Sequence, residues 1–201
     1  MADHMLSDRD LDLIFRNARS YNRWTDTPVS NVQLEALWDL TRMGPTSANS
    51  LPARIIFCTS DESKEKLAAC AGENNKVKIT SAPVCAIIGM DMEFYELLPK
   101  LFPHTDARSW YVGDDGKNES LIEETAFRNS SLQGAYMIIA ARSLGLDCGP
   151  MSGFDADAVD AAFWDGTSVR TNFICSIGHG SEEMLFARSP RLSFDEACEI
   201  R

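Results

Sequence analysis

The stretch GPTSANSLPAR, Gly44 to Arg54, decides the fold, because it is a polar loop punctuated by Gly and Pro between a helix signal and a strand signal. On its amino side, SNVQLEALWDLTRMG opens with Ser30 and Gln33 at capping-box spacing, carries Leu34, Leu37, Trp38 and Thr41 on one face, and stops at Gly44. On its carboxyl side, RIIFCT reads as a buried strand, Arg54 to Thr59. Pro45 and Pro52 restrict the backbone between them, while Thr46, Ser47, Asn49 and Ser50 offer hydroxyls and an amide suited to a phosphate or a heterocycle edge. The same side chains can instead satisfy the loop's own backbone, so the loop alone leaves both readings open.

Outward from the loop, helix and strand signals alternate. Ser7 caps a first helix with Leu11, Ile14, Phe15 and Ala18 at helical spacing, and this helix delivers Arg19 and Ser20 near its end. Ser60 opens a helix through DESKEKLAAC that ends near Gly72; the polar stretch ENNKVKITS then leads into APVCAIIGM, whose unbroken apolar content suits a strand buried on both faces. A short amphipathic segment, DMEFYELLPKLF, precedes PHTDARSW. Residues Val112 to Asn118 are the most loop-like of the chain. Glu119 to Leu144 predicts one long helix stopped by Gly145, and its AYMIIAA centre is apolar around much of its circumference. LDCGPMSGF is a short strand and turn, DADAVDAAFW a helix and TNFICSIG a strand. From Glu182 onward the chain reads as an extended arm.

At 201 residues the chain predicts one domain, residues 1–201, of α/β or α+β class. No apolar run approaches the roughly 18 residues of a membrane span, and the start MADHMLSDRD is acidic where a signal peptide is basic, so a soluble cytoplasmic protein is expected. A net charge of −11 argues against nucleic acid and anionic membranes as partners, and it requires any anion site to be local. Arginine clusters at Arg16, Arg19 and Arg23, and at Arg188 and Arg191, are the candidates, although any one alone reads as a solvated surface residue. The six cysteines form no CxxC pair and read as reduced core residues. His4, His104 and His179 lack metal-ligand spacing, and neither a metal nor a hydrolytic triad is expected.

Three separated segments carry a resemblance: ARSYNRW at Ala18 to Trp24, PTSAN at Pro45 to Asn49, and RSPRLSFDEA at Arg188 to Ala197. Together they resemble the nitroreductase family. Within it, GPTSAN, EFYELLP, LFPHTDARSW, EETAFRNSS, GLDCGPMSGF and PRLSFDEA are similar to the malonic semialdehyde reductases of pyrimidine breakdown. The resemblance implies an α+β nitroreductase-like fold, a mixed central sheet flanked by helices, and an intertwined homodimer with flavin mononucleotide (FMN) at the subunit interface.

It also implies site residues. Arg19, Ser20, Arg191 and Arg188 correspond to phosphate contacts. Asn22 stands where relatives carry a basic residue, with Arg16 or Arg23 as compensating cations. Pro45, Thr46, Ser47 and Asn49 correspond to a loop that reaches the flavin from the other subunit, although the glutamine and tryptophan common after it are Leu51 and Ala53 here. Asn75 and Lys78 correspond to contacts with the pyrimidine edge. The turn Pro150, Met151, Ser152 and Gly153 corresponds to main-chain contacts with the ring nitrogen that accepts hydride. The implied activity is reduction by NADPH or NADH of a small molecule, with malonic semialdehyde giving 3-hydroxypropanoate. Arg108, backed by Arg54 and Arg128, is the candidate cation for the substrate carboxylate, and His104, Trp110, Phe94 or Tyr95 for the pocket wall. The rival readings are a broad nitro or quinone reductase and a flavin carrier without turnover.

Overall fold

The computed structural model describes residues 5–201. Ser7 caps α1 (Asp8–Leu11), exchanging hydrogen bonds with Asp10, and the chain continues into a π-helical turn, Asp12–Arg16. The widened turn takes the expected apolar face off its 3.6-residue period: Ile14 is buried and Phe15 half exposed. The Ser30–Gln33 capping box opens α2 (Asn31–Thr41), which buries Leu34, Leu37 and Thr41. Trp38, expected on that face, instead lies in a surface groove with Leu34, Glu35 and Phe57.

After β1 (Ala53–Cys58), Ser60 caps α3 (Asp61–Ala69). The polar stretch that follows is not a connection but a helix, α4 (Glu73–Thr80). Its only buried residue is Ile79, so the apolar period was too sparse to read, and a Lys76–Glu73 pair supports its first turn. The strand β2 (Val84–Asp91) is buried at every position. A 3₁₀ turn, Phe94–Leu97, runs into α5 (Leu98–Leu101). The loop-like Val112 to Asn118 contains a tight hairpin, β3 (Val112–Gly113) and β4 (Gly116–Lys117), which turns at Gly116 with φ of 108° and is tied to Glu93 by Lys117 Nζ at 3.1 Å. The helix α6 (Glu119–Ser143) stops at Gly145, φ 74°. The remaining elements are β5 (Asp147–Met151), α7 (Ala156–Phe163), β6 (Val169–Gly178) and a short α8 (Phe194–Ala197) within the exposed arm.

The four-stranded sheet has the order β1-β2-β6-β5 with antiparallel ladders, and an isolated parallel bridge joins Ser20 to Cys148. Alternation along β2 divides the core: Val84, Ala86 and Ile88 meet Leu34 and Leu37 of α2 and Met137, Ala140 and Ala141 of α6. Cys85 and Ile87 meet Leu67, Ile79 and Val159 from α3, α4 and α7 on the other face. A further cluster of Phe94, Tyr95, Leu98, Tyr111 and Ile122 lies beyond the sheet.

The segment after the π turn is strapped onto the sheet by main-chain bonds. Tyr21 N–H donates to the Cys148 carbonyl at 3.0 Å, Thr25 N–H to that of His179 at 2.9 Å, and Ser181 N–H to that of Arg23 at 2.9 Å. This approach requires a glycine at 149, where a Cβ would stand 2.4 Å from the Tyr21 carbonyl oxygen. Gly149→Ala is therefore expected to lose about 1–3 kcal/mol in urea unfolding, the range for overpacking against an immovable neighbour. Gly113→Ala, in open space, is expected to change stability by less than about 0.5 kcal/mol.

Candidate functional site

The strapped segment and the carboxyl-terminal arm enclose a cavity of about 520 Å³. Arg19, Ser20, Asn22, Arg188 and Arg191 line it, so the structure brings together residues separated by some 170 positions in the chain. Backbone carbonyls hold the guanidinium groups: Arg19 donates to Phe186, Arg188 to Arg16 (2.8 Å) and Ala18 (2.9 Å), and Arg191 to Ser189 (2.9 Å) and Pro190 (3.1 Å). Among the described residues none of the three has a carboxylate within ion-pair distance. Carbonyls fix an arginine without neutralising it, so three such charges give one cavity a local positive field in a chain of net charge −11. Arg16 is not free to join them, being held by Asp8 at 2.8 Å and Asp12 at 2.7 Å.

A second cavity of about 470 Å³ shares Asn22 and Phe186 with the first and is lined by Arg23, Asn74 and Lys78. Beside it, Asn75 Nδ2 donates to the Gly153 carbonyl at 3.0 Å, and Gly72 N–H donates to the same oxygen at 3.1 Å. A Cβ at Gly153 would lie 2.7 Å from Asn75 Nδ2, so the glycine admits the amide of α4 to the turn after β5. Pro150 and Met151 are still in the sheet, paired with Cys175 and Ile174, and Ser152 is exposed beyond them. Lys78 is fixed through its main chain, whose carbonyl accepts from Ser176 Oγ at 3.0 Å.

The Pro45–Asn49 loop is not part of this assembly within one chain. Ser47 N–H donates to Asn129 Oδ1 of α6 at 2.8 Å, Asn49 Nδ2 to the Leu101 carbonyl at 2.9 Å, and Leu51 N–H to Thr46 Oγ1 at 3.2 Å. Arg142, which lines the first cavity, lies 13 residues along α6 from Asn129, about 20 Å at 1.5 Å per residue. The loop backbone is strained, with Ala48 and Asn49 at φ 50° and Leu51 at φ 41°.

Arg108, Arg54 and Arg128 all carry carboxylate partners. Arg108 grips Glu96 as a fork, Nε to Oε2 at 2.9 Å and Nη2 to Oε1 at 2.7 Å, and this bond holds the Glu96 carboxyl below its usual range. Arg54 pairs with Asp91 at 2.6 Å and Arg128 with Glu124. His104 meets the edge of Phe102, and half-exposed Trp110 stands at the same ring. Phe94 and Tyr95 are fully buried in the third core cluster. His4 lies outside the described residues.

Arg142 is the charged lining residue absent from the sequence-based expectations, with Phe186, Ala187 and Ser189 of the arm beside it. A basic residue in the last turn of a long helix is an ordinary complement to the helix dipole, and only the fold places it at the cavity.

Comparison with known proteins fits this geometry. Residues 15–179 match the nitroreductase family. The chain belongs to that family. A relative from Polynucleobacter asymbioticus, which carries the provisional name NADH dehydrogenase/NAD(P)H nitroreductase, is 56% identical over 196 residues, covering 98% of each chain. Among solved structures, a provisionally named nitroreductase of Bacillus subtilis superposes with a TM-score of 0.86 at 22% identity, over 97% of this chain and all of that one. Another, from Exiguobacterium sibiricum in complex with FMN, gives 0.82 at 19% identity, over 98% of this chain and 99% of the other. These likenesses establish the nitroreductase fold.

No cysteine lines either cavity, and four of the six are buried, with Cys70 partly and Cys198 fully exposed. Burial pushes the Cys58 thiol up to about 11 and the Cys85 thiol to about 12, and Cys148 and Cys175 are also buried. Native protein at pH 8 is expected to react with a thiol reagent fastest at exposed Cys198, so that Cys198→Ser removes the fastest phase, with partly exposed Cys70 reacting more slowly and the four buried thiols only after unfolding.

Proposed function

We propose that this nitroreductase-family protein is an FMN-dependent NAD(P)H oxidoreductase, a single flavin-binding domain acting as a cytoplasmic homodimer. The observation that carries this reading is the convergence of Arg19, Arg188 and Arg191, without carboxylate partners, on a cavity that shares Asn22 and Phe186 with one lined by Lys78. These residues fit a phosphate dianion at one end and a polar ring edge at the other. Bound there, FMN supplies a ring that accepts hydride from NADPH or NADH and yields it to an oxidised substrate.

Arg19, Ser20, Asn22, Arg188 and Arg191 would bind the phosphate. Asn75, Lys78 and the Pro150, Met151, Ser152 and Gly153 turn would border the ring. Pro45, Thr46, Ser47 and Asn49 would come from the second subunit. Two features support a dimer: the roughly 20 Å along α6 between loop and cavity, and exposed apolar residues on α2 and α6 and the turn between α2 and β1, among them Met43, Phe127, Leu132 and Tyr136. The flavin in the solved relative from E. sibiricum supports the cofactor.

For the substrate, the sequence segments favour malonic semialdehyde, whose aldehyde carbon would take hydride and whose oxygen would take a proton, giving 3-hydroxypropanoate. Its carboxylate would have to displace Glu96 from Arg108. That requirement supports a second reading, a broad nitro or quinone reductase, because Arg54, Arg108 and Arg128 are each already neutralised.

The purified protein is expected to be yellow, to release FMN by mass on denaturation, and to bleach with NAD(P)H in stopped flow. A colourless preparation that FMN cannot reconstitute would refute the reading, and flavin that NAD(P)H does not bleach would mark a carrier. Arg19→Ala should weaken FMN binding roughly 10- to 100-fold, the loss of about 1.5–3 kcal/mol for a charge-assisted bond. Turnover of semialdehyde, quinone and nitroaromatic side by side distinguishes the two substrate readings. With the semialdehyde as substrate, Arg108→Ala should raise KM about tenfold and leave the quinone KM unchanged; an unchanged semialdehyde KM removes Arg108 from the site.

A further inference from the structure

We infer that Arg142 is a fourth anion-binding residue of the cavity, a direct contact for the phosphate monoester of the flavin nucleotide. The inference rests on the cofactor reading above and concerns a residue that this reading does not use. Arg142 leaves the last turn of α6, donates from Nη1 to the Ile14 carbonyl at 3.2 Å, and lines the same cavity as Arg19, Arg188 and Arg191. Its Nε–H is buried yet has no hydrogen-bond partner. Among the described residues no carboxylate lies within ion-pair distance of it.

A buried donor on a charged group is costly when unpaired, and with only the Ile14 carbonyl on Nη1 and no carboxylate near, the Arg142 guanidinium keeps its full charge at the cavity wall, where an anionic ligand suits it. Asn22 contributes no charge, Arg16 is neutralised by Asp8 and Asp12, and Arg23 lines the adjoining cavity rather than this one. Arg142 thus adds the positive charge that the neutral amide does not. Its purely structural role would be to complement the α6 dipole and tie α6 to the π turn at Ile14. The two roles differ in what they do to a ligand with and without phosphate.

The test compares FMN with riboflavin, which shares the ring and ribityl chain but lacks the phosphate, by fluorescence quenching on flavin-stripped protein. Arg142→Met is expected to weaken FMN at least tenfold while changing riboflavin binding less than twofold. Equal loss for both ligands, or no loss for either, overturns the proposal and leaves Arg142 as a structural tie. If Arg142→Met does not fold, Arg142→Lys decides: it keeps the charge but lacks the fork and the Nε donor. FMN weakened at least fivefold with riboflavin unaffected supports the contact, and unchanged FMN binding refutes it. Inorganic phosphate separates this proposal from the cofactor reading. If wild-type protein binds neither flavin, the cofactor reading fails; a phosphate-induced rise in Tm present in wild type and absent in Arg142→Lys still supports Arg142 as an anion contact, whereas equal rises overturn it.

Discussion

Burial of α6 against the sheet is the interaction on which the rest of the molecule depends. Its apolar residues Met137, Ala140 and Ala141 close one face of β2 and β6. Its buried polar residues serve the neighbouring loops: Asn129 Oδ1 receives Ser47 N–H at 2.8 Å, and Gln133 Oε1 receives Ala53 N–H at 2.8 Å where β1 begins. At its far end Arg142 ties to the π turn at Ile14. A single rigid helix therefore sets both the loop and the arginine cavity, and it sets them apart. Because backbone donors that enter a dry interior need acceptors, the amides on α6 cannot be exchanged for apolar residues without leaving Ser47 or Ala53 unsatisfied.

The second organising constraint is electrostatic. In a chain of net charge −11, nine of the nineteen arginines and lysines are paired with acids along helices or between turns, Arg16, Arg42, Arg54, Arg108 and Arg128 among them. The cavity reverses this pattern by fixing Arg19, Arg188 and Arg191 with carbonyls. Carbonyl dipoles orient a guanidinium while leaving its net charge intact, which keeps a local positive field inside a negative surface. The arm from Glu182 onward, exposed and short of apolar contacts, is held to the body largely through these same bonds.

Much of the fold was legible in the sequence because its signals are local. The Ser30–Gln33 capping box, the unbroken apolar run of β2, the length of α6 and its stop at Gly145 each follow from side-chain type and spacing over a few residues. Where the reading failed, a short or distorted element was responsible. Helix α4 buries one residue and so shows no period, the hairpin at 112–117 is too short for alternation, and the π turn at Asp12–Arg16 breaks the spacing that the first helix was read by. Trp38 shows the converse error, since an aromatic at core spacing can still face a groove.

The candidate site divides along the same line. By itself the sequence determined which residue types were present for an anion and a ring edge, Arg19 with Ser20, Arg188 with Arg191, Asn75 with Lys78, and it determined that the polar loop at Pro45–Asn49 joins α2 to β1. The resemblance implied that Arg19 and Arg188 share one site, and the tertiary structure places both on one cavity; only the tertiary structure decided that Arg142 joins them from the end of α6, that Gly153 makes room for Asn75, and that Arg108 is already gripped by Glu96. The reason is physical. Capping, periodicity and chain stiffness act over a few residues and are written locally, whereas the pairing of charges depends on which distant segments packing brings within a few ångströms.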